Sequence, residues 1–231
     1  REREELLQFL SHDMRAPQAA IISTIEMHLG KEKPDGIFAK ISSFARHTLD
    51  LADDFVQLAR LRSVKIDDSV VDLTTVVTEA VDIAWPTARK KQIRLEATGG
   101  DEEVLIRGDE GALVRALSNL IGNAVKYCPP QSWVECALQV EPATLPGECD
   151  WAVCRIIDNG PGLPADRAAN IFTRFGARGD TEESGAGLGL AFVKGVVDHH
   201  GGTITVDSVP GAGTSFIIRL PVLDDIADRP A

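Results

Sequence analysis

Four short segments of this chain hold residue types that do chemistry at spacings that bring them together. The first is His12-Asp13, with Arg15 three residues beyond the histidine. A carboxylate beside an imidazole accepts its Nδ1 proton and leaves Nε2 as a neutral nucleophile. Arg15 falls on nearly the same helical face, where a guanidinium steadies an incoming phosphoryl group. Alone, an exposed histidine on a helix is only a polar surface residue.

The second segment is Asn119-Leu-Ile-Gly-Asn123-Ala-Val-Lys126-Tyr127. On a helix Asn119, Asn123 and Lys126 project from one face, while Leu117, Leu120, Ile121, Ala124 and Val125 supply an apolar surface to bury. Two amides and an ammonium suit a metal-bridged polyphosphate, with amide oxygen for Mg²⁺ and ammonium for phosphate. The plainer reading is a polar helix face with an asparagine pair.

Third, Asp158-Asn-Gly160-Pro-Gly162 follows the apolar run Trp151–Ile157. A carboxylate at a strand end accepts the exocyclic amine of adenine, and glycines let backbone pass close to the ring. The same five residues also make a good turn. Fourth, Gly185-Ala-Gly187-Leu188-Gly189-Leu-Ala opens a helix and exposes amides at the positive end of its dipole, a phosphate cradle. It is neither a Walker A loop nor a Rossmann turn, since no Gly-Lys-Ser/Thr ends it and no strand feeds it.

Two regions of different period must position these segments. The stripe Leu7, Leu10, Met14, Pro17, Ile21, Thr24, His28 and a second one, Ile37, Ile41, Phe44, Thr48, Leu51, Phe55, Leu58, both alternate steps of 3 and 4. His12 falls farthest from that seam. The Gly/Pro connector around Lys31–Gly36 reads as the turn of an antiparallel helical hairpin, with Pro17 kinking the first helix. Two helices cannot enclose seams this continuous, so a homodimer forming a four-helix bundle is expected.

From residue 64 the period changes. Strands are expected at Val70–Leu73, Ile93–Ala97, Val104–Arg107, Trp133–Val140, Trp151–Ile157, Thr203–Asp207 and Thr214–Leu220. Helices are expected over Thr74–Lys90, where Pro86 disturbs the run, from a cap at Asp109 to Lys126, and over Leu188–His199. This order predicts an α/β (α+β) sandwich with helices on one face. The division is therefore 1–63, a helical hairpin; 64–222, the sandwich; and 223–231, an acidic tail.

Composition narrows the classes. The chain has 231 residues, 24 Lys plus Arg against 35 Asp plus Glu, and a formal net charge of −11, which repels nucleic acid and anionic lipid. No apolar run approaches the roughly 20 residues that span a bilayer, so this portion is expected to be cytoplasmic, with any membrane attachment through segments outside it. Its first residues read as mid-helix, which marks a fragment of a longer protein. Four cysteines without a CxxC pair, and histidines without ligand spacing, argue against a zinc site or a disulfide framework.

The run Phe9-Leu-Ser-His12-Asp-Met-Arg-Ala-Pro17 resembles the phosphoacceptor box of sensor histidine kinases. The other three segments, with Ile171-Phe-Thr-Arg174-Phe175 and Gly211-Ala-Gly213-Thr214, resemble in order and spacing the boxes of a shared nucleotide-binding fold. That GHKL, or Bergerat, fold is common to histidine kinases, heat-shock chaperones, mismatch-repair proteins and type II topoisomerases. The resemblance runs from Phe9 to about Leu220.

It implies ATP-dependent autophosphorylation on His12, with Asp13 as general base, and phosphotransfer to an aspartate of a response regulator's receiver domain. By the same resemblance Asn123 ligates Mg²⁺, Asn119 and Lys126 contact the phosphates, and Tyr127 lies against the nucleoside. Asp158 takes the adenine amine, flanked by Gly160 and Gly162 and supported through a water by Thr214. Gly185, Gly187, Leu188 and Gly189 cradle the phosphates. Arg174 stabilises charge on the transferred group, helped by Arg178. A lid between Phe172 and Gly185 would close over ATP. The alternative is an ATPase or scaffold of this fold without histidine phosphotransfer.

One departure has a consequence. Ala16 stands where the box has Thr or Asn, a side chain implicated in positioning the water that dephosphorylates the regulator. A methyl group cannot hold that water, so phosphatase activity is expected to be weak or absent.

Overall fold

The computed structural model describes residues 18–25, 37–38, 41, 44–45, 48, 69–100, 102–143, 145, 149–173 and 189–223. Residues 18–25 are helical, as are Ile37, Phe38, Ile41, Phe44, Ala45 and Thr48. Seam positions are the covered ones: Thr24 is buried and Ile37 is buried, whereas Ile22, Ile25 and Phe38 off the seam are exposed. Thr24 and Thr48 return their hydroxyls to the carbonyls of Ala20 and Phe44, which lets a polar residue sit on an apolar stripe. The connector at Lys31–Gly36 and Pro17 lie outside the described residues.

The second region is built as β1 (Ser69–Asp72), α1 (Leu73–Lys90), β2 (Arg94–Gly99), β3 (Leu105–Gly108) and α2 (Glu110–Tyr127). It continues with β4 (Trp133–Glu141), β5 (Trp151–Asp158), α3 (Ala165–Asn170), α4 (Gly189–His199), β6 (Thr203–Val209) and β7 (Gly213–Pro221). The first strand stops one residue early because Asp72 caps the helix: its carboxylate accepts from Thr74 N at 3.0 Å and from the Thr75 hydroxyl at 2.9 Å. α1 runs through Pro86 without a break. Asp82, whose carbonyl the proline deprives of an amide, is exposed, as is Pro86, so the break falls on the solvent side of the helix. Asp109 caps α2 as its sequence implies, accepting from Ala112 N at 2.9 Å. The short helix α3 has no counterpart in the sequence-based expectation. Its six residues bury no side chain and so carry no periodic signal.

β1 and β3 form a two-stranded antiparallel sheet, and the rest form a five-stranded sheet in the order β2-β4-β5-β7-β6. All neighbours in that sheet are antiparallel except β2 and β4, which run parallel. Consecutive strands β2 and β3 thus part into different sheets. α1, α2 and α4 cover one face of the larger sheet. Between the layers lie Leu120, Ile121, Val125, Phe192, Val193, Val196 and Val197 from the helices. They meet Val134, Cys136, Cys154, Ile156 and Ile218 from the strands. β4 alternates, as a sheet with one covered face should. On the reverse face Arg155 and Arg219 converge on Glu141 at 3.0 and 2.7 Å.

Candidate functional site

α2 carries four of the sequence-derived site residues because its apolar stripe fixes its rotation. Leu113, Leu117, Leu120, Ala124 and Val125 go into the core, leaving Asn119 and Asn123 half-buried and Lys126 and Tyr127 exposed at its end. Lys126 Nζ sits 5.4 Å from the Tyr127 ring centre, a cation–π contact. The carbonyls of Val125 and Lys126, left without helical partners at the helix end, both accept from Lys91 Nζ, at 2.9 and 2.5 Å. Lys91 carried no signal in the sequence, since a lysine after a helix is ordinary.

Among the described residues, Asn119 Nδ2 is buried without a hydrogen-bond partner. Gly189, where the described part of α4 begins, lies beside it: a methyl group placed on Gly189 would be 3.7 Å from that nitrogen. An unmatched buried donor costs about 1–3 kcal/mol. A buried amide donor of this kind suits an anion.

Asp158 ends β5, buried, and its register partners are Val134 on β4 and Thr214 on β7. Its Oδ1 accepts from Gly160 N at 2.8 Å and from Cys128 Sγ at 3.6 Å. Burial pushes this carboxyl above the ordinary aspartate range, and the donors at Gly160, Cys128 and Thr214 only partly offset that. The Cys128 thiol is pushed up to about 12, first by burial and then by the Asp158 charge and hydrogen bond.

Thr214 is buried and its hydroxyl meets Ser208 Oγ at 2.9 Å. Ser208 Oγ also donates to Gly213 O at 2.9 Å and accepts from Leu163 N at 2.8 Å. A serine has one proton to give, so with that proton on Gly213 it is Thr214 that donates to Ser208. Ser208 therefore ties the loop after β5 to both strands of the β6–β7 hairpin. A serine within an alternating strand gave no sign of this.

The glycines near Asp158 are needed against the protein itself. A methyl group on Gly162, at φ 67°, would fall 2.1 Å from the Val209 carbonyl oxygen. One on Gly160 would fall 2.8 Å from Asp158 Oδ1, and one on Gly213 would fall 2.0 Å from the Asp158 carbonyl oxygen. The sequence argument assigned Gly160 and Gly162 to close approach of a ring; the structure adds that strand and loop already fill that space.

His200, which the sequence left without a role, is buried and bridges two helices. Its Nε2 accepts from Asp109 N at 3.0 Å and Nδ1 donates to Val196 O at 2.7 Å. Its ring occupies the space a side chain on Gly108 would need. Among the described residues no group of histidines, cysteines and carboxylates could hold a metal ion, and no helix is long and apolar enough to cross a membrane. A cavity of about 620 Å³ between α1 and α2, walled by Ile83, Val114 and Arg115, is separate from this cluster. His12, Asp13, Arg174, Arg178, Gly185, Gly187 and Leu188 lie outside the described residues.

Comparison with known proteins agrees with this arrangement. Residues 108–224 match the family of histidine kinase-, DNA gyrase B- and HSP90-like ATPases. The chain is 36% identical over 222 residues to "Probable sensor histidine kinase TcrY" of Mycobacterium tuberculosis, covering 92% of this chain and 44% of that protein. The structure of the mycobacterial sensor histidine kinase MprB is similar at 33% identity and a TM-score of 0.55, covering 67% of this chain and 97% of that one. Full-length ShkA, in complex with AMPPNP, is similar at 25% identity and a TM-score of 0.66 over 97% of this chain and 47% of its own. The chain spans about half the length of the curated relatives it matches.

Proposed function

Because the chain belongs to the sensor histidine kinases, with their GHKL-type ATP-binding catalytic domain, we propose that it phosphorylates itself on His12 and passes the phosphoryl group to an aspartate of a response regulator. The observation that carries the nucleotide half of this reading is the buried Asn119 amide beside Gly189, which has no partner among the described residues. An anion held there satisfies the donor, and a polyphosphate fits the row formed with Asn123 and Lys126.

Asp158 offers Oδ2 to the adenine amine, since Oδ1 is already taken by protein donors. Tyr127 covers the nucleoside from the helix end. The donor set also fits Mg²⁺: Asn123 contributes a neutral amide oxygen, a hard ligand suited to that ion. When bound, Mg²⁺ neutralises charge on the phosphate oxygens.

In the transfer, His12 Nε2 forms a bond to the terminal phosphorus of ATP as the bond to the ADP oxygen breaks. Asp13 takes the Nδ1 proton, and Arg174 balances charge on the phosphoryl oxygens. The N–P bond then breaks as an aspartate oxygen of the receiver domain bonds to phosphorus. The chain acts as a homodimer through its helical region. It works in the cytoplasm.

Incubation with labelled Mg·ATP tests the reading. Acid-labile, base-stable label on the wild type, absent from His12→Ala, is the expected result. Bound or hydrolysed ATP without protein label would leave an ATPase or scaffold of this fold.

A further inference from the structure

We infer that Cys128 is a positioning residue for base selection: its thiol holds Oδ1 of Asp158 so that Oδ2 alone faces the six-position of the purine. The inference rests on the reading of Asp158 as the adenine-binding group. The geometry behind it comes from two elements that meet only here. Cys128 caps α2, with its amide on Ala124 O at 3.0 Å and an extended backbone at ψ 138° that turns the side chain off the helix line. Asp158 closes β5. Their side chains touch at 3.6 Å, and the second donor to the same oxygen, Gly160 N at 2.8 Å, comes from the loop that follows.

A carboxylate can rotate about its last bond and exchange its two oxygens. Two donors on one oxygen, from different elements, oppose that exchange. The thiol is fit to be a constant donor. It is 1% exposed and its pKa is pushed up to about 12, so it keeps its proton at every pH at which the protein works. It is accordingly a poor nucleophile, which sets it apart from a redox cysteine. Residue 160 has to be glycine for the thiol to sit there: a methyl group on Gly160 would lie 2.9 Å from Cys128 Sγ.

The same helix carries Asn119, Asn123 and Lys126. Through Cys128 the element that faces the phosphates also fixes the carboxylate that reads the base, so base and phosphate sites keep a constant separation.

The test is a binding titration of the whole chain with ADP and with purine riboside diphosphate, which lacks the six-amino group, both with Mg²⁺. Wild type, Cys128→Ala and Cys128→Ser are compared, with melting temperature as a control. Cys128→Ala should weaken ADP about three- to ten-fold, the worth of one ordinary hydrogen bond from a weak thiol donor, and leave the desamino nucleotide nearly unchanged. Cys128→Ser, which keeps a donor, should restore the preference. Equal losses for both nucleotides, or a wild-type preference that survives Cys128→Ala, would overturn the positioning role and leave the Asp158 reading standing. A wild type that does not distinguish the two nucleotides would overturn both.

Discussion

The two ends of the candidate nucleotide site are built on opposite plans. At the Asp158 end nearly every polar atom has a protein partner: Oδ1 has two donors and Ser208 serves three groups. The glycines there are hemmed in, Gly162 and Gly213 by backbone and Gly160 by the Asp158 and Cys128 side chains. At the Asn119 end, among the described residues, a buried amide has no partner, Lys126 is exposed, and Gly189 has room for a methyl group. On the proposed reading, one end is a finished mould for a rigid base, and the other keeps unmet donors for a flexible, charged chain whose partners arrive with it. Preorganisation would then be concentrated where shape is read and withheld where charge is bound.

Substitutions at the two ends should therefore separate folding from binding. The largest effect is expected from Asp158→Asn, which places an amide nitrogen or a neutral oxygen before the adenine amine. ADP affinity measured by calorimetry should fall about a hundred-fold, as when a hydrogen-bonded charge is lost from a closed site. Next, Gly162→Ala forces a methyl group against the Val209 carbonyl at positive φ and should cost at least about 2 kcal/mol in chemical denaturation. Gly189→Ala, with 3.7 Å of clearance, should fold as the wild type does. Equal stabilities for those two variants would erase the contrast.

Asn119→Ala should lower Mg·ADP affinity about ten-fold while leaving adenosine binding and unfolding free energy within about 0.5 kcal/mol, because the side chain removed had no partner to lose. The smallest effects concern pH. The Cys128 thiol is raised in the fold, so its contribution to stability is whole below pH 9 and is lost as pH climbs toward about 12. Asp158 is also raised, with the opposite consequence for binding: nucleotide affinity, which needs the carboxylate, should fade on acidification before an ordinary aspartate titrates. A pH titration of ADP affinity in wild type against Cys128→Ser separates the two groups.

Much of this was legible in the sequence, for a physical reason. Elements that bury a stripe or alternate across a covered sheet, such as α2 and β4, write their period into the chain, and Asp109 announces its helix by residue type. Asn119, Asn123, Lys126 and Asp158 could be grouped because spacing on a helix and placement at a strand end are local properties. What stayed hidden was partnership at a distance. Ser208, Lys91, His200 and the Cys128–Asp158 contact join positions 30 or more residues apart, except for Ser208's bonds to Gly213 and Thr214 and His200's bond to Val196. A single residue type in a strand or after a helix does not say what it will meet. The parallel pairing of β2 with β4 was hidden likewise, because alternation shows a strand but not its neighbour.

That parallel edge bears on how the domain assembles. β6 and β7 are joined by a short turn, and their register closes at Val209 and Gly213. β2 reaches β4 only across β3 and the whole of α2, with Arg94 opposite Trp133. Closing a loop of that length costs chain entropy before any contact rewards it, so the hairpin should order early and the β2 edge should dock last. Pulse-labelled hydrogen exchange during refolding would show amides of β7 protected ahead of those of β2. The hairpin that bears Ser208 and Thr214 would then template the base-reading end. The helix end gripped by Lys91, one residue past α1 and just ahead of β2, would be the last part of the site to set.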